Sequence, residues 1–332
     1  MTERIETEQD KLAALPKAEL HCHLEGIIDP EMLEELEGQG EPLPVSSAEF
    51  RRNYPVKDFA SFLAWAKAQD AFQGSIPAYL PMMRIHLRRL VEQGVVYTEI
   101  QFAPGELPAD HGEAVRVMRE FREKIRQLEN GRIQVEFLGS LARQAPAARV
   151  EFVTERLLRL YAEGLVSGVS VVGPEKDFTL ERFAGPLARL RAAGLGITVH
   201  AGEWAGPESV WDALKNANPH RIAHAVSAFR DPELIKEIRF RGIHLEFCQT
   251  SNLKTAGISA LPEHPLRATV ENGLKFSLNT DDPGAFGCSI PGEYGLAGRV
   301  FGLSLAELGA VTASALEARF QPELRGRASR SA

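Results

Sequence analysis

The chain has 332 residues, 44% of them hydrophobic and 25% charged, with a formal net charge of −7. This is the composition of a soluble globular protein with a large core, and its acidic balance excludes a general polyanion binder, because phosphate backbones demand concentrated Lys and Arg. Cys22, Cys248 and Cys288 are too few and too scattered for a disulfide framework or a C-x-x-C metal site, and no run reaches the roughly 18 apolar residues of a membrane span; a cytoplasmic protein with neither nucleic-acid nor membrane partners is expected.

Met1 to Lys11 is polar and lacks a signal-peptide core. Residues 1–11 and 323–332 read as flexible tails around a single domain over 12–322. The segment Ala18 to Glu25 reads as a short strand on which His21 and His23 share one face, with Glu25 next along it. Two imidazoles so spaced can grip one cation, and Gly26 lets the chain turn away. Pro30 to Gly38 follows as a short helix. The next stretch is rich in Gly, Pro and Ser, and then Asp58 to Trp65 gives an amphipathic helix behind an Asp cap. So long a connection suggests a lid over about 40–76; the alternative is that Phe59, Phe62 and Leu63 simply pack on the core.

From Pro77 the alternation is regular. Helices are expected at Tyr79–Gln93, Glu113–Glu129, Val150–Glu163, Leu180–Ala193, Ser209–Asn216, Pro232–Arg241, Leu266–Asn272 and Ser304–Phe320. Strands are expected at Val95–Phe102, Ile133–Leu141, Gly168–Gly173, Gly196–His200, Arg221–Val226, Ile243–Cys248 and Leu274–Asn279. Such Val/Ile/Leu-rich strands suit a parallel sheet buried on both faces. With the opening strand they make eight βα units, which predicts a closed (β/α)8 barrel of the TIM type rather than two domains. A doubly wound open sheet is the alternative, but no G-x-G-x-x-G follows the first strand.

Function in such a barrel collects at the C-terminal ends of the strands. There the chain places His21 and His23, then His200 and Glu203, then His224, then Cys248-Gln249-Thr250-Ser251-Asn252, and finally Asn279-Thr280-Asp281-Asp282-Pro283. Taken singly, His224 reads as a core histidine and Asp281-Asp282-Pro283 as a cap or turn. Taken together, three imidazoles and a carboxylate describe a site for a divalent transition metal, zinc first, with iron possible. Such an ion acidifies water toward neutral pH, and Glu203 suits a proton shuttle beside it.

His21-Cys22-His23-Leu24-Glu25-Gly26, Thr198-Val199-His200-Ala201-Gly202-Glu203, Cys248 to Asn252 and Ser277 to Pro283 resemble, in sequence and order, the adenosine deaminase family of the amidohydrolase superfamily. The resemblance spans roughly Leu15 to Phe320 and implies one zinc ion held by His21, His23, His200 and Asp281. It implies further that Glu203 protonates a purine ring nitrogen, that His224 orients the nucleophile, and that Glu25, Gly173 and Asp282 bind the substrate. The implied reaction is hydrolysis of a 6-aminopurine nucleoside, adenosine or adenosine-like, to the 6-oxopurine and ammonia. Glu25 stands where adenosine deaminases usually carry Asp, and Gln101 where they often carry Arg. These departures keep 6-aminodeoxyfutalosine of menaquinone biosynthesis, and less strongly adenine, as alternative substrates. Arg143 and Lys176 either meet a substrate carboxylate or form surface salt bridges.

Overall fold

A computed structural model describes residues 8–54, 56–68, 72 and 75–320; most of the expected tails, 1–7 and 323–332, and part of the expected lid lie outside them. Eight strands follow one another around a single sheet: β1 (Lys17–His23), β2 (Val95–Phe102), β3 (Gln134–Ala142), β4 (Gly168–Val172), β5 (Gly196–Ala201), β6 (Arg221–His224), β7 (His244–Phe247) and β8 (Phe276–Leu278). Each consecutive pair is parallel. The ring closes where the His23 N–H donates to the Asp281 carbonyl at 2.9 Å and the Asp281 N–H donates to the His21 carbonyl at 3.1 Å. This is the (β/α)8 barrel expected from the sequence.

The helices form for local reasons. In His111–Glu129, Asp110 accepts from the Glu113 N–H at 2.8 Å, and Ala114, Met118, Phe121 and Ile125 line one buried face. A reciprocal Ser304–Glu307 capping box starts the helix Leu305–Glu317. The helix Ile290–Phe301 was not expected. Its Pro291, Gly292, Gly295 and Gly298 are poor helix formers, and buried Ile290, Tyr294 and Ala297 hold it in place through packing. Another helix, Glu8–Ala14, takes in the end of the segment expected to be a tail.

β1 departs from simple alternation. Between the pairs Glu19–Thr98 and Cys22–Ile100 β1 carries one extra residue, a β-bulge, which offsets the residue β2 gains between the pairs Lys17–Val95 and Ala18–Tyr97. The strand then ends at His23, not Glu25, which lies in the turn Glu25–Ile27. The turn is forced by close approach: a Cβ on Gly26 would lie 2.1 Å from Asp282 Oδ1.

The barrel interior carries a buried charge chain. Tyr97 OH donates to Glu99 at 2.8 Å, and the Arg221 guanidinium pairs with Glu99. Arg221 Nε lies 2.6 Å from Glu246, whose other oxygen lies 3.1 Å from His21 Nδ1. Burial opposes ionisation of Glu246, but Arg221 and then His21 outweigh it and hold the carboxyl below its usual range. Removing Arg221 would strand two buried carboxylates. Arg221→Met is expected to cost about 3–5 kcal/mol, read as a fall in the urea midpoint; an unchanged midpoint would show that the two acids need no cation.

Candidate functional site

His23, Glu25, Gly173, His200, Glu203, His224, Asp281 and Asp282 line one cavity of about 220 Å³ at the C-terminal mouth of the barrel. His21 lies directly beneath, fully buried. Its Nε2 is 3.3 Å from His23 Nε2, and Asp281 Oδ1 lies 3.0 and 3.2 Å from the two nitrogens. The His200 ring centroid is 4.6 Å from that of His21 and 5.5 Å from that of His23. His200 Nε2 and Asp281 Oδ1 are buried without a hydrogen-bond partner among the described residues. Two overlapping clusters, His21 with His23 and Asp281 and His21 with His200 and His224, bring ligand atoms close enough to hold an ion, and with orphaned atoms on His200 and Asp281 they fit a transition metal.

The backbone that aims these groups is strained. His224 and Asp281 both adopt φ of 65°, the left-handed region that side chains with a Cβ avoid. Gly173, at φ 96°, brings its main chain to the cavity wall where a Cβ would meet Gln144.

Several groups that hold the site escaped the reading of the sequence. Glu175 accepts the backbone N–H groups of Gly202, Glu203 and Trp204 at 2.6, 2.9 and 2.9 Å, fixing the loop that carries Glu203. No sequence signal marked it. Asn252 Nδ2 donates to His224 Nδ1 at 3.0 Å, and Ser251 donates to Asp281 Oδ2 at 2.6 Å; both belong to the motif at the end of β7. Glu246 could have been found as a lone acid within an apolar strand.

The model of the adenosine deaminase family matches residues 16–331. The chain belongs to this family. Its members are hydrolases acting on C–N bonds. The chain is 32% identical to an adenine deaminase of Sinorhizobium medicae, covering 94% of this chain and 96% of that protein. It is likewise 32% identical to an adenosine deaminase of Escherichia coli, covering 92% and 94%. In three dimensions it superposes on the adenine deaminase of Arthrobacter aurescens with a TM-score of 0.79 at 25% identity, covering 92% of this chain and 94% of that one. A zinc-bound amidohydrolase from Burkholderia ambifaria shares the fold at 24% identity, with a TM-score of 0.77 and coverage of 96% and 90%.

Within this family frame, burial sets the protonation of the mouth. Burial, then Asp281 and Glu175, raises the Glu203 carboxyl well above its usual range. Burial and the adjoining Asp281 push Asp282 up to about 8. Burial above all lowers His224 to about 3. Since Asn252 donates to His224 Nδ1, the His224 proton sits on Nε2, which lies 3.4 Å from Glu203 Oε2.

The segment expected as a lid contributes Phe62, Trp65 and Ala66 of the helix Phe59–Ala68 to the cavity. Phe62 stacks on Trp65 and Phe286, with centroids 6.0 and 5.5 Å apart. Leu63 is 53% exposed, so it does not pack on the core; the Phe59 side chain lies outside the described residues. Arg143 does not line the cavity, and its ion pair, with Asp212 at 3.9 Å, is not on the surface. It is buried, and its guanidinium donates to the His200 carbonyl at 2.7 Å and the Phe178 carbonyl at 3.1 Å, bracing the end of β5. Lys176 is exposed on the surface.

A set of polar atoms near Glu25 has no protein partner among the described residues: Glu25 Oε2, both amide atoms of Gln101, Glu106 Oε2 and the Tyr79 hydroxyl. Burial, then Glu25, pushes the Glu106 carboxyl up to about 8. In the window from its ordinary value to about 8 the native state holds a proton that the unfolded chain has released. Stability therefore falls with rising pH there and levels off above it. Glu106→Gln removes this loss, so its thermal midpoint relative to the parent is expected to climb across that window; a pH-independent difference would show that Glu106 titrates normally.

Proposed function

We propose that the chain is a zinc-dependent hydrolase that deaminates a neutral 6-aminopurine, adenine first and adenosine second. The observation that carries the reading is the placing of neutral, buried Glu203 beside His224, across one cavity from His21, His23, His200 and Asp281. These last four would hold the metal, and when bound the ion acidifies water for attack at ring carbon.

The chain's own residues supply the rest. An aromatic ring accepts a nucleophile only if a ring nitrogen gains a proton as charge develops. Glu203 carries that proton because burial keeps its carboxyl neutral. Hydrogen-bonded Asn252 fixes the His224 tautomer that turns an N–H into the cavity, where it stabilises charge on the attacking oxygen. Asp282, whose carboxyl burial and Asp281 push up, faces an acceptor nitrogen of the five-membered ring and in its O–H form donates to it. The Gly173 main chain meets the far edge of the purine.

Charge argues for a neutral substrate. Among the described residues no Lys or Arg lines the cavity, while four carboxyl groups do: Glu25, Glu203, Asp281 and Asp282. A phosphate or carboxylate on the substrate would find no cation there. Arg143, the cation considered for 6-aminodeoxyfutalosine, is committed to backbone carbonyls. Relatives named adenine deaminase put the free base first; the equally similar adenosine deaminase of E. coli keeps the nucleoside second.

Zinc-loaded protein is expected to release ammonia from adenine, from adenosine more slowly, and not from AMP; no release from any aminopurine refutes the reading. Glu203→Gln is expected to lower kcat by roughly 10²–10⁴-fold with the zinc content unchanged. Loss of zinc instead would make Glu203 a ligand.

A further inference from the structure

The opposite end of the barrel holds a second cavity, of about 590 Å³, where β6, β7 and β8 begin and the helix Leu305–Glu317 ends. Arg191, Arg241, Lys275 and Arg319 line it against a single carboxylate, Glu317. That excess of cations stands out in a chain whose formal charge is −7.

Two of the cations have carboxylate partners. Lys275 Nζ lies 2.7 Å from Glu317, and Arg241 Nε lies 2.6 Å from Glu237. The other contacts orient the cations without neutralising them. Arg191 donates to the Asn218 carbonyl at 2.7 Å, Arg319 to the Leu316 carbonyl at 2.6 Å, and Arg241 Nη1 to the Leu214 carbonyl at 2.9 Å. Each guanidinium keeps a terminal nitrogen with no partner among the described residues. His244, only 3% exposed, lines the same cavity; its Nδ1 faces Ser314 Oγ at 3.5 Å and its Nε2 has no partner among the described residues. The Ser314 hydroxyl donates to Nδ1 or accepts from it according to the His244 tautomer, and in either case Nε2 stays without a protein partner among the described residues. A buried imidazole nitrogen without a partner is costly in a barrel floor that serves stability alone.

We propose that this floor cavity binds a small phosphate-bearing anion, held by Arg191, Arg241, Lys275 and Arg319 with His244 Nε2 at its inner wall. Planar guanidinium forks match phosphate oxygens, and lysine adds a compact charge. The site lies at the far end of the barrel from the deaminase cavity and does not rest on the reading given to that cavity.

The test is calorimetric titration of the full zinc-loaded chain with inorganic phosphate and, separately, pyrophosphate, at fixed ionic strength in chloride. Saturable binding of one anion per chain is expected, and the tighter of the two identifies a mono- or diphosphate ligand. The double variant Arg191→Ala with Lys275→Ala is expected to weaken it at least tenfold while zinc content and deaminase turnover stay at parental values. Arg191→Lys, which keeps the charge, should bind within a few-fold of the parent. Absence of saturable binding overturns the proposal. So does undiminished binding in the double variant, because that is the behaviour of an anion captured at the catalytic metal.

Discussion

Closure of the barrel and convergence of the metal-binding groups depend on one backbone exchange. The carbonyl and N–H of Asp281 bond to the N–H of His23 and the carbonyl of His21, which ties the last strand to the first. The same exchange sets the Asp281 carboxylate 3.0 Å from one imidazole and 3.2 Å from the other. It requires Asp281 to hold a φ of 65°, a strain of roughly 1–3 kcal/mol. Only a closed ring of strands over-determines such a residue, so the geometry of the site is a property of the whole barrel.

Behind that junction the interior is organised by charge rather than by apolar packing alone. Glu99, Arg221 and Glu246 run up the axis to His21 Nδ1. A carboxylate on the far nitrogen of a histidine fixes ring orientation and leaves the near nitrogen as the free donor. Glu246 thus does for His21 what Asn252 does for His224 and Glu175 does for the loop bearing Glu203. His21, His224 and the loop bearing Glu203 are each held by a buried polar neighbour.

Architecture was legible in the sequence because it rests on periodicity. Buried parallel strands such as Val95–Phe102 and Gly196–Ala201 read as apolar runs, and residues at their ends announce a shared mouth. Local exceptions were not legible. The bulge in β1 depends on pairing with β2, and the turn at Glu25 on contact between Gly26 and Asp282, two segments more than 250 residues apart. The helix Ile290–Phe301 contradicts its own propensities and exists through tertiary burial. Arg143 read as a surface cation because nothing in one chain segment reveals that two distant carbonyls will cover it. The family motifs contain the residues to which the resemblance assigns the chemistry, whereas supports such as Glu175 are read only in three dimensions.

The electrostatics of the mouth bear on what can enter it. A purine offers acceptor nitrogens around its ring, so a complementary cavity must supply donors, and this one is lined with acids. Burial resolves the mismatch. It raises Glu203 well above the usual carboxylate range and Asp282 to about 8, which favours the O–H form of both carboxyls that the proposed reading assigns to ring nitrogens. A bound phosphate would work against this arrangement, because its charge would add to that of Asp281 with no Lys or Arg among the described lining residues to receive it. The barrel instead gathers its unneutralised cations at the opposite end, around Arg191 and Arg319. Separation of the two signs along the axis leaves an acidic mouth whose buried carboxyls are pushed toward their O–H forms, and on the proposed reading this favours a base or nucleoside over a nucleotide.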